Sequence, residues 1–165
     1  MFQNPANPMA HLLLVDNDTD FREALANQLR DEEYEVEIAS SATQALEIAS
    51  RRKLSLAILE VNLPGVDGVQ LLRYFRSRHV FRQMPVIFLT GELRKESLNQ
   101  VVQLGVRDIM LKANFKLTEL VERIELRLTQ PTDLIRDPQM AQDVRSVHNT
   151  QAILRSTVPD SPSNC

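Results

Sequence analysis

The sequence has 165 residues, of which 43% are hydrophobic and 25% charged, and its net charge is -3. A single core of ordinary size takes roughly 100 to 150 residues, so the length predicts one domain with an appendage and leaves little room for two full domains. The acidic balance, with a pI near 5.6, argues against a direct nucleic-acid partner, because proteins that bind the phosphate backbone usually show clustered Lys and Arg.

The first ten residues lack both the basic start of a signal peptide and the long apolar stretch of a membrane anchor. We therefore expect a cytoplasmic protein with no membrane partner, in which residues 1–10 form an N-terminal extension. Cys165 is the one cysteine, which excludes a disulfide within the chain and a metal site built from cysteines.

Short apolar runs alternate with amphipathic stretches along residues 11–128. The first run ends in acids and predicts a buried strand, and the next stretch has helical spacing, with Asp20 and Glu23 in the form of a capping box. The same alternation predicts five strands, at 11–16, 35–39, 56–60, 86–90 and 108–111. It predicts five helices, at 19–30, 42–51, 69–78, 95–104 and 117–128.

This alternation predicts an α/β fold, in which helices cover both faces of a five-stranded parallel sheet and the crossovers are right-handed. In doubly wound folds the functional crevice lies at the carboxyl ends of the strands. Four of the predicted strand ends carry polar residues, namely Asp16, Glu60, Thr90 and Lys112. We expect these side chains to converge, whereas the order of the strands stays open.

Beyond residue 129 the sequence becomes polar and is interrupted by prolines. We therefore assign residues 11–129 to the domain and residues 130–165 to a C-terminal appendage. Apolar residues at helical spacing predict a helix at about 139–156, followed by a disordered end. A mostly solvated linker is the alternative for this segment.

The strand-end residues are suited to phosphoryl chemistry, because carboxylates hold a hard divalent cation while a hydroxyl and an ammonium bind phosphate oxygens. Four segments carry them: LVDND (14–18), LEVNLPGVDG (59–68), PVIFLTG (85–91) and GVRDIMLK (105–112). Their order and spacing resemble the response regulator receiver domain of two-component signalling, from about residue 11 to residue 128. The resemblance implies a flavodoxin-like receiver fold of five strand and helix pairs.

The resemblance also implies roles for the acidic residues. It places Glu60 where the family carries its phosphorylated aspartate, and it places Asp16 and Asn17 at the acidic pair that ends the first strand. Asn62 falls on the residue whose backbone carbonyl helps to bind magnesium. A metal would therefore be held by Asp16, Asn17, Glu60 and Asn62.

Two of these positions depart from the family. Glutamate is longer than aspartate by one methylene, which moves its carboxylate by roughly 1.5 Å, and in-line phosphoryl transfer tolerates such a displacement badly. Asn17 removes one negative charge, so Mg²⁺ should bind weakly if it binds. We therefore expect no phosphorylation at Glu60 and no tightly bound cofactor.

The remaining positions concern the switch. By resemblance, Thr90 falls on the hydroxyl of the fourth strand and Lys112 on the lysine that pairs with the phosphoryl group. Ile109 stands where the family usually has an aromatic residue whose rotamer reports phosphorylation, so the ordinary switch should be absent. The longer Glu60 carboxylate could instead reach Lys112 and Thr90.

The sequence therefore predicts an atypical receiver, a pseudo-receiver, that works by protein–protein interaction and is not an enzyme. Its expected partner is a sensor kinase, another regulator or an effector protein. By resemblance, the fourth and fifth helices could also form a homodimer surface. Whether Glu60 fixes an active or an inactive state stays open.

Three alternatives remain. The first is a receiver that retains Mg²⁺-dependent phosphoryl binding, and the second is a Glu60–Lys112 ion pair that serves fold specificity alone. The third is a phosphatase of the haloacid dehalogenase type with Asp16 as the nucleophile, because residues 16–20 (DNDTD) are similar to its opening motif. Asp20 in place of Thr or Val argues against this enzyme.

Overall fold

A computed structural model describes residues 9–130. The strands are β1 (His11–Val15), β2 (Glu35–Ala39), β3 (Leu56–Leu59), β4 (Val86–Thr90) and β5 (Asp108–Leu111). The helices are α1 (Thr19–Asp31), α2 (Ala42–Arg51), α3 (Gly68–Ser77), α4 (Lys95–Gln103) and α5 (Leu117–Thr129), with a 3-10 turn at Lys112–Asn114. The predicted order of elements is confirmed, with small shifts at their ends.

The five strands form one parallel sheet in the order β2-β1-β3-β4-β5. All the residues of β3 and β4 are buried, because helices cover both faces of the sheet. The chain reverses its direction of travel across the sheet at β1, which makes the fold doubly wound, as predicted. The carboxyl ends of β1, β3, β4 and β5 therefore lie side by side.

Two hydrophobic layers hold the helices against the sheet. One layer includes Phe75 and Phe88 and lies on the side of α2, α3 and α4. The other includes Ile87, Leu120 and Ile124 and lies on the side of α1 and α5. Neighbouring residues of β4 contribute to opposite layers because side chains alternate along a strand. Burying one such side chain fully contributes about 1.5–3 kcal/mol.

The capping box predicted at Asp20 is wrong. The N-cap of α1 is Asp18, whose side chain accepts a hydrogen bond of 3.1 Å from the backbone N–H of Phe21. Asp20 lies in the first turn of the helix, where a negative charge complements the helix dipole. A capping box is present in α3 instead, because the side chains of Asp67 and Gln70 bond each other's backbone N–H groups at 2.8 and 3.1 Å.

Several predictions concern residues outside the described range. Residues 1–8 and 131–165 are not described, and the helix predicted at about 139–156 lies among them. Among residues 9–130, no helix has the length and apolar character needed to cross a membrane.

Candidate functional site

The four predicted strand-end residues meet at the carboxyl edge of the sheet. Asp16 follows β1, Glu60 follows β3, Thr90 is the last residue of β4, and Lys112 follows β5. Only 1% of Asp16, 5% of Glu60 and 0% of Thr90 is exposed. Buried polar groups cost free energy unless they are hydrogen-bonded or paired, so the partners of these groups define the site.

The ammonium group of Lys112 bridges two buried carboxylates. Its Nζ lies 2.6 Å from Oδ2 of Asp16 and 3.0 Å from Oε2 of Glu60. The Lys112 side chain is itself only 19% exposed. The cation that directly follows β5 is therefore shared by the acids that follow the two neighbouring strands β1 and β3.

Both oxygens of Glu60 accept hydrogen bonds in addition to the ion pair. Oε1 accepts from the backbone N–H of Asn62 at 3.0 Å and from the hydroxyl of Thr90. Oε2 accepts from the backbone N–H of Gly91 at 3.2 Å and contacts Lys112. The predicted contacts of Glu60 with Lys112 and Thr90 are thus present, and each oxygen has two donors.

Asp16 has fewer donors. Its Oδ1 accepts from the backbone N–H of Asp18 at 2.9 Å, and its Oδ2 contacts Lys112. Its backbone carbonyl accepts a hydrogen bond of 2.6 Å from Nη1 of Arg22, a residue that is 8% exposed. Nothing in the sequence marks Arg22 as buried, because a polar residue at this position of α1 looks like any residue on a helix surface.

A second set of bonds ties together the loops that follow β3 and β4. The side-chain amide of Asn62 donates to the backbone carbonyl of Glu92 at 2.8 Å. The hydroxyl of Thr90 lies 2.9 Å from the same carbonyl. The side chain of Asn62 therefore connects two loops by a hydrogen bond, whereas the resemblance implied a role only for its backbone carbonyl.

The first residue of α3, Gly68, has no room for a side chain. A Cβ atom there would lie 2.1 Å from the backbone oxygen of Glu60, which is closer than real Cβ atoms approach. The backbone N–H of Gly68 also donates to Val61 at 2.9 Å. The first turn of α3 can therefore sit directly against the strand end that carries Glu60.

The aromatic ring of Phe21 lies beside Lys112. Its Nζ lies 4.4 Å from the centre of the Phe21 ring, within the range of a cation–π contact. Phe21 in turn meets Phe115 edge to face, with ring centres 6.1 Å apart. The helical spacing of Phe21 indicated only a core position, so the sequence gave no signal for this contact.

The three charged groups have shifted pKa values. Burial raises the pKa of Glu60, but the bonds from Thr90, Asn62 and Lys112 together outweigh burial and hold it below the ordinary 4.5. Burial raises the pKa of Asp16 above the ordinary 3.8, because the bonds from Lys112 and from the Asp18 backbone offset burial only in part. Burial lowers the pKa of Lys112, but its two carboxylate partners raise it above 10.5.

The described residues fit a magnesium ion poorly. The pocket holds two carboxylates, and Lys112 already binds one oxygen of each. Asn17 is exposed and brings no charge. Among residues 9–130, no group of three or more His, Cys, Asp or Glu side chains is placed to hold a metal, whereas a hard cation needs several oxygen ligands. The predicted metal ligands stay a prediction.

Ile109 lies half-buried in β5 and packs against the layer on the side of α2, α3 and α4. Its predicted effect on the switch stays a prediction. The same holds for a homodimer through α4 and α5.

Curated relatives are named as response regulators or transcriptional regulators. The response regulator MprA of Mycobacterium leprae is 33% identical over 135 residues, which cover 79% of this chain and 57% of MprA. The response regulator protein FleR of Pseudomonas aeruginosa is 35% identical over 103 residues, which cover 62% of this chain and 21% of FleR. The chain therefore spans less than two thirds of either relative.

Solved structures share the fold. A CheY-like response regulator receiver domain protein from Methanospirillum hungatei superposes with a TM-score of 0.68 and 27% identity, over 73% of this chain and 94% of that one. The chemotaxis protein CheY4 of Vibrio cholerae gives a TM-score of 0.67 and 26% identity, over 72% and 98%. The sequence model of the response regulator receiver domain matches residues 12–125. This match favours a receiver over a phosphatase, and the chain belongs to the response regulator receiver domain family.

Proposed function

We propose that this chain is a pseudo-receiver, in which Glu60 stands at the phosphoacceptor position and the module signals through protein contacts without being phosphorylated. The observation that carries the proposal is the bonding of Glu60. Its two carboxylate oxygens already accept from Lys112, the Thr90 hydroxyl and two backbone N–H groups. Glu60 therefore already occupies the cation and the hydroxyl that a phosphoryl group would need as partners.

This bonding opposes phosphoryl transfer. A carboxylate that attacks phosphorus must present one oxygen in line with the bond that breaks. Either oxygen of Glu60 would first have to give up two donors, one of them the Lys112 ammonium or the Thr90 hydroxyl. At Oε2 the contact to be broken is a buried ion pair, and removing one partner of such a pair costs about 3–5 kcal/mol, whereas at Oε1 the contacts are hydrogen bonds from neutral donors. Breaking either set of contacts would add to the barrier of the transfer. The extra methylene of glutamate displaces the oxygen further.

The need of phosphoryl transfer for a divalent cation also opposes phosphorylation of Glu60. With Lys112 between Asp16 and Glu60, a divalent cation would have to compete with a cation that the fold itself provides. We therefore expect weak Mg²⁺ binding at most and no turnover by the module. Its proposed partner is a sensor kinase, another regulator or an effector protein in the cytoplasm, and we expect no direct contact with nucleic acid.

Labelling with a small acyl phosphate tests the proposal. The full-length protein is incubated with the donor and Mg²⁺, and the intact mass is measured. We expect no phosphoryl adduct on the wild type and one adduct on Glu60→Asp combined with Asn17→Asp, because that pair restores both the shorter acceptor and the second acid. Glu60→Asp alone and Glu60→Gln with Asn17→Asp are the matched controls. A phosphoryl group on Glu60 of the wild type would overturn the proposal in favour of a metal-dependent receiver.

A further inference from the structure

The amino end of the sheet carries a charge pattern that the net charge conceals. Residues 68–91 contain four arginines and one histidine but no acid. Residues 48–59 contain two arginines and one lysine, again without an acid, and residues 97–107 end in Arg107. These three stretches include the loops that lead into β3, β4 and β5.

The topology brings these loops together. Because β3, β4 and β5 are parallel neighbours, the loops before them lie at the same end of the sheet. The backbone N–H of Ala57 donates to Pro85 at 3.0 Å, which joins the starts of β3 and β4. The guanidinium of Arg76 donates to Met84 at 2.9 Å and to Leu104 at 3.3 Å, which joins the loop before β4 to the end of α4.

The charges on these loops are available to a partner. We define the basic surface by Arg51, Lys53, Arg78, Arg82 and Arg107. The first four are exposed and the last is half-buried. Within residues 9–130 none of the five forms an ion pair, whereas their neighbour Arg52 pairs with Glu37 at 3.1 Å. An unpaired group of like charges attracts an acidic partner and speeds encounter with it.

Exposed apolar side chains accompany the charges. Val80 lies between Arg78 and Arg82 and is 81% exposed, and Tyr74 is 37% exposed. The guanidinium of Arg78 lies 4.9 Å from the centre of the Tyr74 ring. Arg and Tyr beside an exposed aliphatic group are typical of the anchors of protein interfaces. Contact with a phosphate backbone would use the charges and leave Val80 without a role.

We propose that the basic surface binds a partner protein through a segment in which acidic residues alternate with apolar ones. This inference deepens the proposed function, because it names the contact surface of a module that works by protein interaction. The surface lies at the opposite end of the sheet from Lys112, so its binding does not depend on the state of the pocket. Three acids at the end of α1 and in the loop before β2 limit the surface on the other edge of the same end and disfavour an acidic segment there, namely Asp31, Glu32 and Glu33.

The experiment uses the full-length protein and a fluorescent synthetic peptide of alternating glutamate and leucine, with binding followed by anisotropy. The test variant is Arg78→Glu with Arg82→Glu. The matched control is Arg94→Glu with Lys116→Glu, which makes the same charge change at exposed N-cap positions at the other end of the sheet. We expect at least about a tenfold loss of affinity in the test variant and less than about twofold in the control.

Four results would overturn the inference. They are an equal loss in the control, equal binding of a peptide with glutamine in place of glutamate, tighter binding of duplex DNA than of the peptide, and no peptide binding at all. Arg78→Gln with Arg82→Gln, which removes charge without reversing it, should give an intermediate loss and covers the case in which charge reversal impairs folding. Phosphoryl labelling of Glu60 would overturn the proposed function and leave the peptide result unchanged, so the two failures are distinguishable.

Discussion

Two clusters of buried acids and cations lie at opposite ends of β5. At the carboxyl end, Lys112 pairs with Asp16 and Glu60, which follow β1 and β3. At the amino end, Asp108 is 4% exposed and pairs with Arg127 and, at 3.1 Å, with Arg123, both on α5. The first cluster has more acids than cations and joins three strands. The second has two cations for one buried acid and joins a strand to the following helix.

The contrast between the two clusters shows which property marks a candidate site. Burial and pairing are common to both clusters, so neither property distinguishes function from fold stability. What distinguishes the Glu60 cluster is convergence, because several strand ends supply its members at the crevice of a doubly wound sheet. Burial raises the pKa of Asp16, whose donors are few, yet the donors of Glu60 hold its pKa down. Substituting one residue of each cluster at a time measures how much each contact contributes.

The largest effect is expected from Lys112→Met, which keeps the aliphatic bulk and removes the charge. Asp16 and Glu60 would then face each other in a buried pocket without their shared cation. We expect a loss of about 3 kcal/mol in the free energy of unfolding at neutral pH, measured by urea denaturation. Lys116→Met, on an exposed lysine, is the control and should change little. A loss below about 1 kcal/mol would show that Lys112 is not the main partner of these acids.

Glu60→Gln should cost less, about 2 kcal/mol, because the amide keeps some of the hydrogen bonds and loses the ion pair. The pKa of Glu60 is lowered in the folded state, so its stabilisation is complete above the unfolded value of 4.5 and is lost as the pH falls through the folded pKa. The difference between wild type and Glu60→Gln should therefore be largest above pH 4.5 and shrink below it. A difference that grows toward low pH would contradict this sign.

Asp108→Asn should cost about 1.5 kcal/mol, which is less than the loss of Lys112. Arg123 keeps Glu119 at 2.7 Å, and the side chains of Arg123 and Arg127 are 33% and 21% exposed, so solvent can take over part of the interaction. Amide NMR shifts of Glu60 and Thr90 should not move, since the two clusters share no contact. Shifts at those residues would mean that the clusters are coupled.

The smallest effect is expected from Phe21→Leu, which retains an apolar side chain and removes the ring beside Lys112. We expect a loss of about 0.5–1 kcal/mol, the size of a partly exposed cation–π contact. The same substitution in a Lys112→Met background should cost less, and a double-mutant cycle measures the difference. Equal costs in the two backgrounds would show that Phe21 acts on the hydrophobic layer alone.

The order of elements was predictable because short apolar runs alternate with amphipathic stretches along residues 11–128, and polar residues mark the ends of four of the strands. The strand order was not predictable, since pairing between distant segments leaves no local pattern. Two features depend on how the loops fold over the pocket, so the sequence could not show them. They are the hydrogen bond from Asn62 to Glu92 and the burial of Arg22. The basic surface could not be predicted from the net charge, because the net charge adds the acids and bases of all loops together. Only the sheet topology shows which loops lie next to one another.

An amide NMR titration with Mg²⁺ and then beryllofluoride, a mimic of the phosphoryl group, directly tests whether the pocket is closed to phosphoryl chemistry. The residues to follow are Asp16, Glu60, Thr90 and Lys112. If the pocket is filled by its own ion pairs, these amides should stay unchanged at millimolar ligand, while those of Glu60→Asp with Asn17→Asp should shift. Concerted shifts of the wild-type amides, extending into β5, would contradict the account and establish a working metal-dependent switch.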